Sequence, residues 1–570
     1  MKLESLPNEI LLDVFSYFNG TDLLRAFYGL NIRLNLLLSK QFYSYSFQFN
    51  YVSKRHFDQI CQQHLPLIAN RVVNLQLSNS RETPEQMNLF FTYIPSLKSF
   101  IYLQSLTIFN LQSYQILVKL LDECRHLSNL TRLRFYSCTF RDDSVNCQWI
   151  IDQIWSLPKL VSCHLYMSRR GENHFYVPTI QSRSLEHISL FLHDLQWNDL
   201  NQLIESTPNL KSISTSVKYS SDHSHAESVL RILTKCTLYL VDVSIVPTMN
   251  IAFPSMSGLR SLDVYMWDGL ISGCLWERII RHSLPQLKIF HLTMEKIFFH
   301  EENLEEKVDE LFNTFGTSFW IDEHQWFVRC FTMDTTIYLS TRFITPYCSD
   351  TLSLNLWRST YPDDDQKQFY NNITRISNET FFDKSTIFSN IRFSNIEYLC
   401  LKLPFNDQIY SIISDFKRLK TLSIVSYVDR YSSQLQTLLG RVPCLQKLSI
   451  SQDTSLPLQS SLFKQKNTSI RELHFFSYNC YYFNENECLL LICSPLAIQC
   501  EVLSIQVQNR QSVISLVKNL LHLRSLIVTC QDDQYEEEQS ELVTWLKKHL
   551  SSKYLIVRDP DNVKNILIWI

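Results

Sequence analysis

The chain has 570 residues, with 53 Lys and Arg against 56 Asp and Glu and a formal net charge of −3. That balance gives no basic field for nucleic acid or an anionic membrane. No run of about 18 apolar residues offers a membrane span, and the 8 glycines form no Gly-rich phosphate loop. Single cores stop growing near roughly 250 to 300 residues, so a chain this long needs several domains or a repeat array.

Leu6-Pro7-Asn8-Glu9-Ile10-Leu11-Leu12-Asp13-Val14-Phe15-Ser16-Tyr17-Phe18 reads as a helix with proline in its first turn and Glu9 near the positive end of the dipole. Ile10, Val14 and Phe18 recur every four residues, and Leu11 and Phe15 widen the same stripe. After Asn19-Gly20 the sequence predicts a second helix from Asp22, capped by Thr21 and apolar at Leu23, Phe27, Leu30, Leu34 and Leu38. So small a bundle cannot hide all of this surface. Either the following repeats or another protein must cover the remainder.

These residues resemble the F-box motif: Leu6-Pro7-x-Glu9-Ile10-Leu11-x-x-Val14-Phe15-Ser16-Tyr17-Phe18, then Asp22-Leu23-Leu24-Arg25, then Leu36-Leu37. The likeness covers roughly residues 3 to 47, but Gly29-Leu30-Asn31-Ile32-Arg33-Leu34 replaces the family's Val-Cys-Arg-x-Trp segment. The resemblance implies docking on the Skp-type adaptor of a cullin-RING ubiquitin ligase, through Leu6, Pro7, Ile10, Leu11, Val14, Phe15, Leu23 and Leu24. A plainer reading makes the same helices a cap that seals the open end of a solenoid.

A linker or first-turn helix is expected over residues 51 to 70, and from residue 71 one phrase repeats to the end. Five copies read Pro-x-Leu-x-x-Φ, with Φ an apolar residue: Pro95-Ser96-Leu97, Pro158-Lys159-Leu160, Pro208-Asn209-Leu210, Pro285-Gln286-Leu287 and Pro443-Cys444-Leu445. Proline-free copies of the form Leu-x-x-Leu-x-Φ fill the gaps, such as Leu130-x-x-Leu133-x-Phe135, Leu259-x-x-Leu262-x-Val264 and Leu523-x-x-Leu526-x-Val528. Steps of about 23 to 31 residues allow one strand and one helix per unit, the signature of a leucine-rich-repeat solenoid. Helices are expected at 84–93 after Thr83, 199–206, 432–439 closed by Gly440, and 535–549. A unit this short cannot stand alone, so stability must come from stacking.

The phrase fades between about residues 300 and 395. A helix over 302–315 and paired strands near Trp326–Phe331 and Thr336–Leu339 are expected there, followed by an exposed polar loop that includes Asp363-Asp364-Asp365. Trp320, Trp326 and Trp357 are read as core residues rather than interface residues.

Sixteen cysteines lack paired spacing, and Cys163, Cys400 and Cys500 fall on core positions of the repeat. Cys480, Cys488, Cys493 and Cys500 lack the Cys-x-x-Cys pairs of zinc sites. No Gly-x-Ser-x-Gly or His-Glu-x-x-His occurs, and His223-Ser224-His225 sits in a Ser-rich connection. The expectation is therefore a non-catalytic protein with no cofactor or metal, soluble in the cytoplasm or nucleus.

The expected fold class is α/β: a leucine-rich-repeat solenoid over residues 71–570, with parallel strands inside and helices outside, behind a small all-α F-box-like module over residues 3–50. The expected function is the substrate-recognition subunit of an SCF-type ubiquitin ligase, with the Skp-type adaptor and a protein substrate as partners and no nucleic acid or membrane. The alternative is a leucine-rich-repeat interaction scaffold that never meets a ligase. Alternate strand residues face inward, so the positions between the leucines, among them Arg134, His187, Asp263, Lys402 and His474, are the candidate substrate contacts.

Overall fold

The computed structural model describes residues 6–140, 146–169, 175–218, 233–240, 253–298, 303–333, 335–342, 354–362, 364, 370–377, 392–452, 460–476, 481–533, 535–536 and 539–570. The His223-Ser224-His225 connection and Cys480 lie outside these residues.

The repeat phrase is a turn followed by a strand. In Leu157-Pro158-Lys159-Leu160, Thr207-Pro208-Asn209-Leu210 and Leu284-Pro285-Gln286-Leu287 the fourth N–H donates to the first carbonyl, at 3.5, 3.0 and 3.1 Å. Proline suits the second place of such a turn, because its φ is preset and its missing N–H is not called on. The two residues between the leucines then aim both N–H groups at one carbonyl of the preceding unit. Lys211 and Ser212 donate to Glu186 O, Thr234 and Lys235 to Lys211 O, and Arg260 and Ser261 to Thr234 O. In the second half Arg524 and Ser525 share Glu501 O in the same way. This fork explains the fixed two-residue spacing.

Ten strands stack side by side in chain order: β1 (Tyr45–Gln48), β2 (Val72–Ser78), β3 (Ser105–Phe109), β4 (Arg132–Phe140), β5 (Ser162–Arg169), β6 (His187–Leu195), β7 (Ser212–Val217), β8 (Lys235–Leu240), β9 (Ser261–Met266) and β10 (Ile289–Ile297). Their neighbours pair in parallel. Then β11 (Arg329–Met333), β12 (Thr336–Ser340) and β13 (Leu354–Ser359) complete a 13-stranded sheet in antiparallel order. A second sheet of 9 strands holds β14 (Arg375–Ile376), β15 (Tyr398–Lys402), β16 (Thr421–Tyr427), β17 (Lys447–Gln452), β18 (Glu472–Phe476), β19 (Val502–Val507) and β20 (Ser525–Cys530). After a small hairpin, β21 (Tyr535–Glu536) and β22 (Gln539–Ser540), the strands β23 (Leu555–Arg558) and β24 (Asn565–Trp569) add antiparallel to its far edge in the order β20-β24-β23. Strands sit about 4.8 Å apart and packed helices about 8 to 10 Å, so helices backing a sheet take its outer side. The fold is α/β, with a long parallel sheet resembling a leucine-rich-repeat solenoid.

Three expectations change. The parallel array is not continuous, because it divides at the antiparallel strands. The sheet begins at Tyr45 rather than near residue 71, on Phe47 and Phe49 instead of leucines; α1 (Asn8–Ser16), α2 (Gly20–Phe27) and α3 (Ile32–Leu36) precede it, and α4 (Lys54–Gln59) opens the helical stretch between β1 and β2, within the residues where a linker or first-turn helix is expected. Helix limits also shift. Asn19, not Thr21, caps α2 by accepting from Thr21 N. Thr83 donates to Ser78 O ahead of a helix at Gln86–Tyr93, Gly440 lies inside Ser432–Arg441, and the last helix starts at Glu541.

The antiparallel strands act as a joint. Every residue of β11 is buried: Val328, Cys330, Ile337 and Leu339 belong to the first core, while Phe331, Met333 and Tyr338 enter the second with Tyr370, Ile373 and Ile376. Trp320 and Trp326 are buried in the first core, as expected, and Trp357 is half-buried. Asp364 departs from the exposed-loop expectation. Its carboxylate accepts from Arg329 Nε at 2.9 Å and NH2 at 3.1 Å, with both side chains almost fully buried. The guanidinium also lies 3.7 Å from the centre of the Tyr361 ring.

At the other end the chain closes on itself. An aromatic series runs from the first helix through β1 to the last strand: Phe15 to Phe42 at 6.0 Å, Phe42 to Tyr45 at 4.8 Å, Tyr45 to Phe47 at 5.7 Å, Phe47 to Phe49 at 5.5 Å, Phe49 to Phe57 at 5.1 Å and Phe57 to Trp569 at 5.2 Å between centroids. Trp569 is fully buried and donates Nε1–H to Val52 O at 2.9 Å, while Lys54 N donates to Ile570 O at 2.8 Å. Arg81 pairs with the buried Asp559 at 2.9 Å, and Gln112 donates to Asp561 at 3.0 Å. Gly20 permits α2 to lie on β1, since a Cβ there would sit 2.7 Å from the Phe47 ring.

Two outcomes follow. Trp569→Ala is expected to cost about 3 to 5 kcal/mol and to speed hydrogen exchange in β1, β2, β23 and β24 together, since its ring is the apolar centre of the contacts that join both ends. Asp364→Ala should cost about 3 to 5 kcal/mol by stranding a buried cation, whereas replacing Arg329 and Asp364 together with apolar residues should cost far less, as read by chemical denaturation.

Candidate functional site

Alternation along each strand divides the face of the first sheet away from the core into three rows. The first row reads Ser105, Arg132, Ser162, His187, Ser212, Lys235, Ser261 and Ile289 from β3 to β10. The second reads Thr107, Arg134, His164, Ser189, Ser214, Thr237, Asp263 and His291.

The third row is aromatic. Phe109 stacks on Tyr136 at 5.0 Å, and Tyr136 meets the His164 ring at 4.5 Å. Tyr166 meets Phe191 at 5.1 Å, Phe191 reaches across Ser216 to Tyr239 at 5.7 Å, and Tyr239 stacks on Tyr265 at 5.0 Å and Trp267 at 5.7 Å. These rings are half in water, with Phe191 37% and Trp267 42% exposed. All members of the row but Trp267, which lies two residues beyond Tyr265, follow directly on a repeat phrase: Leu106-Thr107-Ile108-Phe109, Leu133-Arg134-Phe135-Tyr136, Cys163-His164-Leu165-Tyr166, Ile188-Ser189-Leu190-Phe191, Cys236-Thr237-Leu238-Tyr239 and Leu262-Asp263-Val264-Tyr265. The sequence reading stopped one residue short of them, at the positions between the leucines.

Of the predicted substrate contacts, Arg134, His187 and Asp263 share this face. Asp263 is buried and faces Arg342 at 3.6 Å, an ion pair too long for a hydrogen bond. Lys402 and His474 lie on the second sheet, so the five do not converge. Lys402 is exposed, while His474 is buried beside Glu472 at 3.6 Å. There the residue following the phrase is Lys402, Val425, Ser451, Phe476, Gln506 or Thr529; Phe476 alone of these is aromatic, so no aromatic row forms among the described residues.

The helical module divides its apolar side. Leu11, Phe15, Leu23 and Leu24 are core residues packed with the chain's own β1 region, Leu6 and Val14 are half-buried, and Pro7 and Ile10 are exposed. Leu11, Phe15, Leu23 and Leu24 therefore cannot meet an adaptor without opening the module. What faces water is Ile10, Tyr17 at 87% exposure, Phe18, Leu30, Ile32 at 79% and Leu36. In place of an aromatic anchor in α3, Arg33 donates to Leu6 O at 2.6 Å and to Asn8 Oδ1 at 2.9 Å, tying α3 to the start of α1.

Between this module and the last units lies an open cleft of about 1550 Å³, walled by Arg25, Arg55, His56 and His64 on one side and Glu501, Arg524 and Lys553 on the other. Among the described residues no three His, Cys, Asp or Glu side chains form a metal-holding group, and no helix is long and apolar enough to cross a membrane. Burial pushes the thiols of Cys124, Cys138, Cys330 and Cys500 up to about 12, which keeps them protonated.

The arrangement defines a class, an α/β fold whose long parallel sheet resembles a leucine-rich-repeat solenoid and carries a row of aromatic residues on the face away from its core. No family model matches the sequence, and no curated protein does. Among solved structures, an internalin from Listeria monocytogenes strain 4b F2365 aligns at 11% identity over 74% of this chain and 94% of that one, with a TM-score of 0.26. The fold assignment rests on the strand pairing above.

Burial holds His56, His64, His164, His291 and His324 below the ordinary imidazole value of 6.5, with Arg134 adding to the effect at His164 and Arg342 at His291. The unfolded chain binds these protons first, so stability should be full above about pH 6.5 and fall as the pH drops below it. Thermal melts on the two sides of that value check the sign.

Proposed function

We propose that this protein is a non-catalytic interaction scaffold that holds a protein partner on the inner face of its first sheet. The half-exposed aromatic row from Phe109 to Trp267 carries the reading, since a stacked row of rings in partial contact with water is the kind of surface that anchors partners. Solenoids offer such long faces as a rule.

A second reading rests on a separate observation, the apolar surface that Ile10, Tyr17, Phe18, Leu30, Ile32 and Leu36 leave in water beside Leu6-Pro7. Together with the F-box resemblance, it supports docking of a Skp-type adaptor, with the scaffold presenting its partner for ubiquitin transfer in the cytoplasm or nucleus. Tethering would then raise the effective concentration of the partner beside the ligase.

A photo-crosslinking side chain at Trp267 is expected to capture a discrete protein in cells that one at the exposed Leu521, in the turn ahead of β20 and away from the first sheet's rows, does not; equal or absent capture overturns the scaffold reading. Ile10→Asp with Ile32→Asp should leave the melting temperature within a few degrees of wild type, because both side chains are exposed. The same pair should lower recovery of a Skp-type adaptor at least ten-fold, and adaptor recovery that is absent or unchanged sinks the ligase reading.

A further inference from the structure

We infer that the inner face of the first sheet takes an extended acidic polypeptide segment carrying aromatic or aliphatic side chains; this rests on the scaffold reading and names its partner's chemistry. The first two rows of the face carry Arg132, Arg134 and Lys235 against the single acid Asp263, on a chain of net charge −3. The acids of the first two rows and their leading edge are already engaged, Glu186 with Lys211 at 2.7 Å and Asp263 with Arg342, and the Lys211 contact holds the Glu186 carboxyl below its usual range. Arg132, Arg134 and Lys235 on the rows, with Arg260 and Lys288 at the leading edge of β9 and β10, have no ion-pair partner among the described residues. An anionic ligand supplies the missing charge.

The spacing favours a peptide. Arg132, His187 and Lys235 alternate with Ser162, Ser212 and Ser261, so the basic side chains of the first row recur every second strand, about 9.6 Å apart. Three residues of polyproline-II chain span about 9.3 Å, which lets one side chain in three meet Arg132, the His187 ring as a hydrogen-bond donor, or Lys235, while its neighbours turn toward the rings. A single-stranded nucleic acid carries a charge on every residue and would be served by a cation on every strand. Within the same face Thr107 Oγ1 and His291 Nδ1 are buried without a hydrogen-bond partner among the described residues. Backbone amides and carbonyls of a bound segment can meet them. The His291 and His164 rings are held toward their neutral forms, able to accept as well as donate.

The test is fluorescence anisotropy of the full chain with a fluorescein-labelled copolymer of Glu and Tyr, beside polyglutamate, a Lys-Tyr copolymer and single-stranded oligothymidylate. The Glu-Tyr copolymer should bind most tightly. Arg132→Ser with Lys235→Ser should weaken it at least ten-fold and flatten its salt dependence, and Tyr239→Ser with Trp267→Ser should weaken it by a similar factor. If the aromatic pair lowers the melting temperature, the charge pair decides, since Arg132 and Lys235 are exposed. Equal binding of the Lys-Tyr copolymer, tighter binding of the oligothymidylate, or unchanged binding by the charge variant overturns the inference. Crosslinking at Trp267 without copolymer binding removes this inference and leaves the scaffold standing, whereas loss of both removes both.

Discussion

Closure of the chain through Trp569 is the constraint on which the rest depends. An open solenoid must cap each end, because the last unit has no neighbour to bury its apolar face. Here the last strand is that neighbour. Phe57 and Val52 receive Trp569, the peptide groups of Lys54 and Ile570 join, and the aromatic series through β1 carries the contact into the helical module. The module is neither a free-standing domain nor a simple plug. Half of its apolar stripe is used in sealing the first core, and the other half is left facing water.

The buried joint at β11 to β13 does at the opposite side what the tryptophan does at the seam. A strand with both faces apolar can sit between two cores, and β11 does so with Cys330 on one side and Phe331 and Met333 on the other. The Arg329–Asp364 pair sits at this place. Its two charges are costly to bury and strongly destabilising if only one remains, which makes the joint specific about which loop lies over it.

The repeat was legible in the sequence because its physical cause is local. A proline turn, a two-residue fork and an alternating strand leave a fixed spacing that can be read without coordinates, and the positions of Leu133, Leu262 and Leu526 followed from it. The division into two sheets and the meeting of the ends were not legible, since Trp569 and Val52 are far apart in sequence and nothing local couples them. Asp364 looked like part of an acidic surface loop because composition cannot register a single distant arginine. The aromatic row was legible but overlooked. It occupies the residue just after the phrase on six strands of the first sheet, the next outward-facing place on the pleat, whereas in the second sheet Phe476 is the only aromatic residue, among those described, to follow the phrase.

A closed circuit also fixes how the repeat can grow. An open array tolerates gain or loss of a unit, because every internal junction looks like every other. In this molecule an added strand lengthens the inner circumference by about 4.8 Å, whereas the bond from Trp569 Nε1 to Val52 O, 2.9 Å long, can lengthen by only about half an ångström before it is lost. Duplication of one module would therefore part the ends, so the number of units is set by geometry rather than left free to drift.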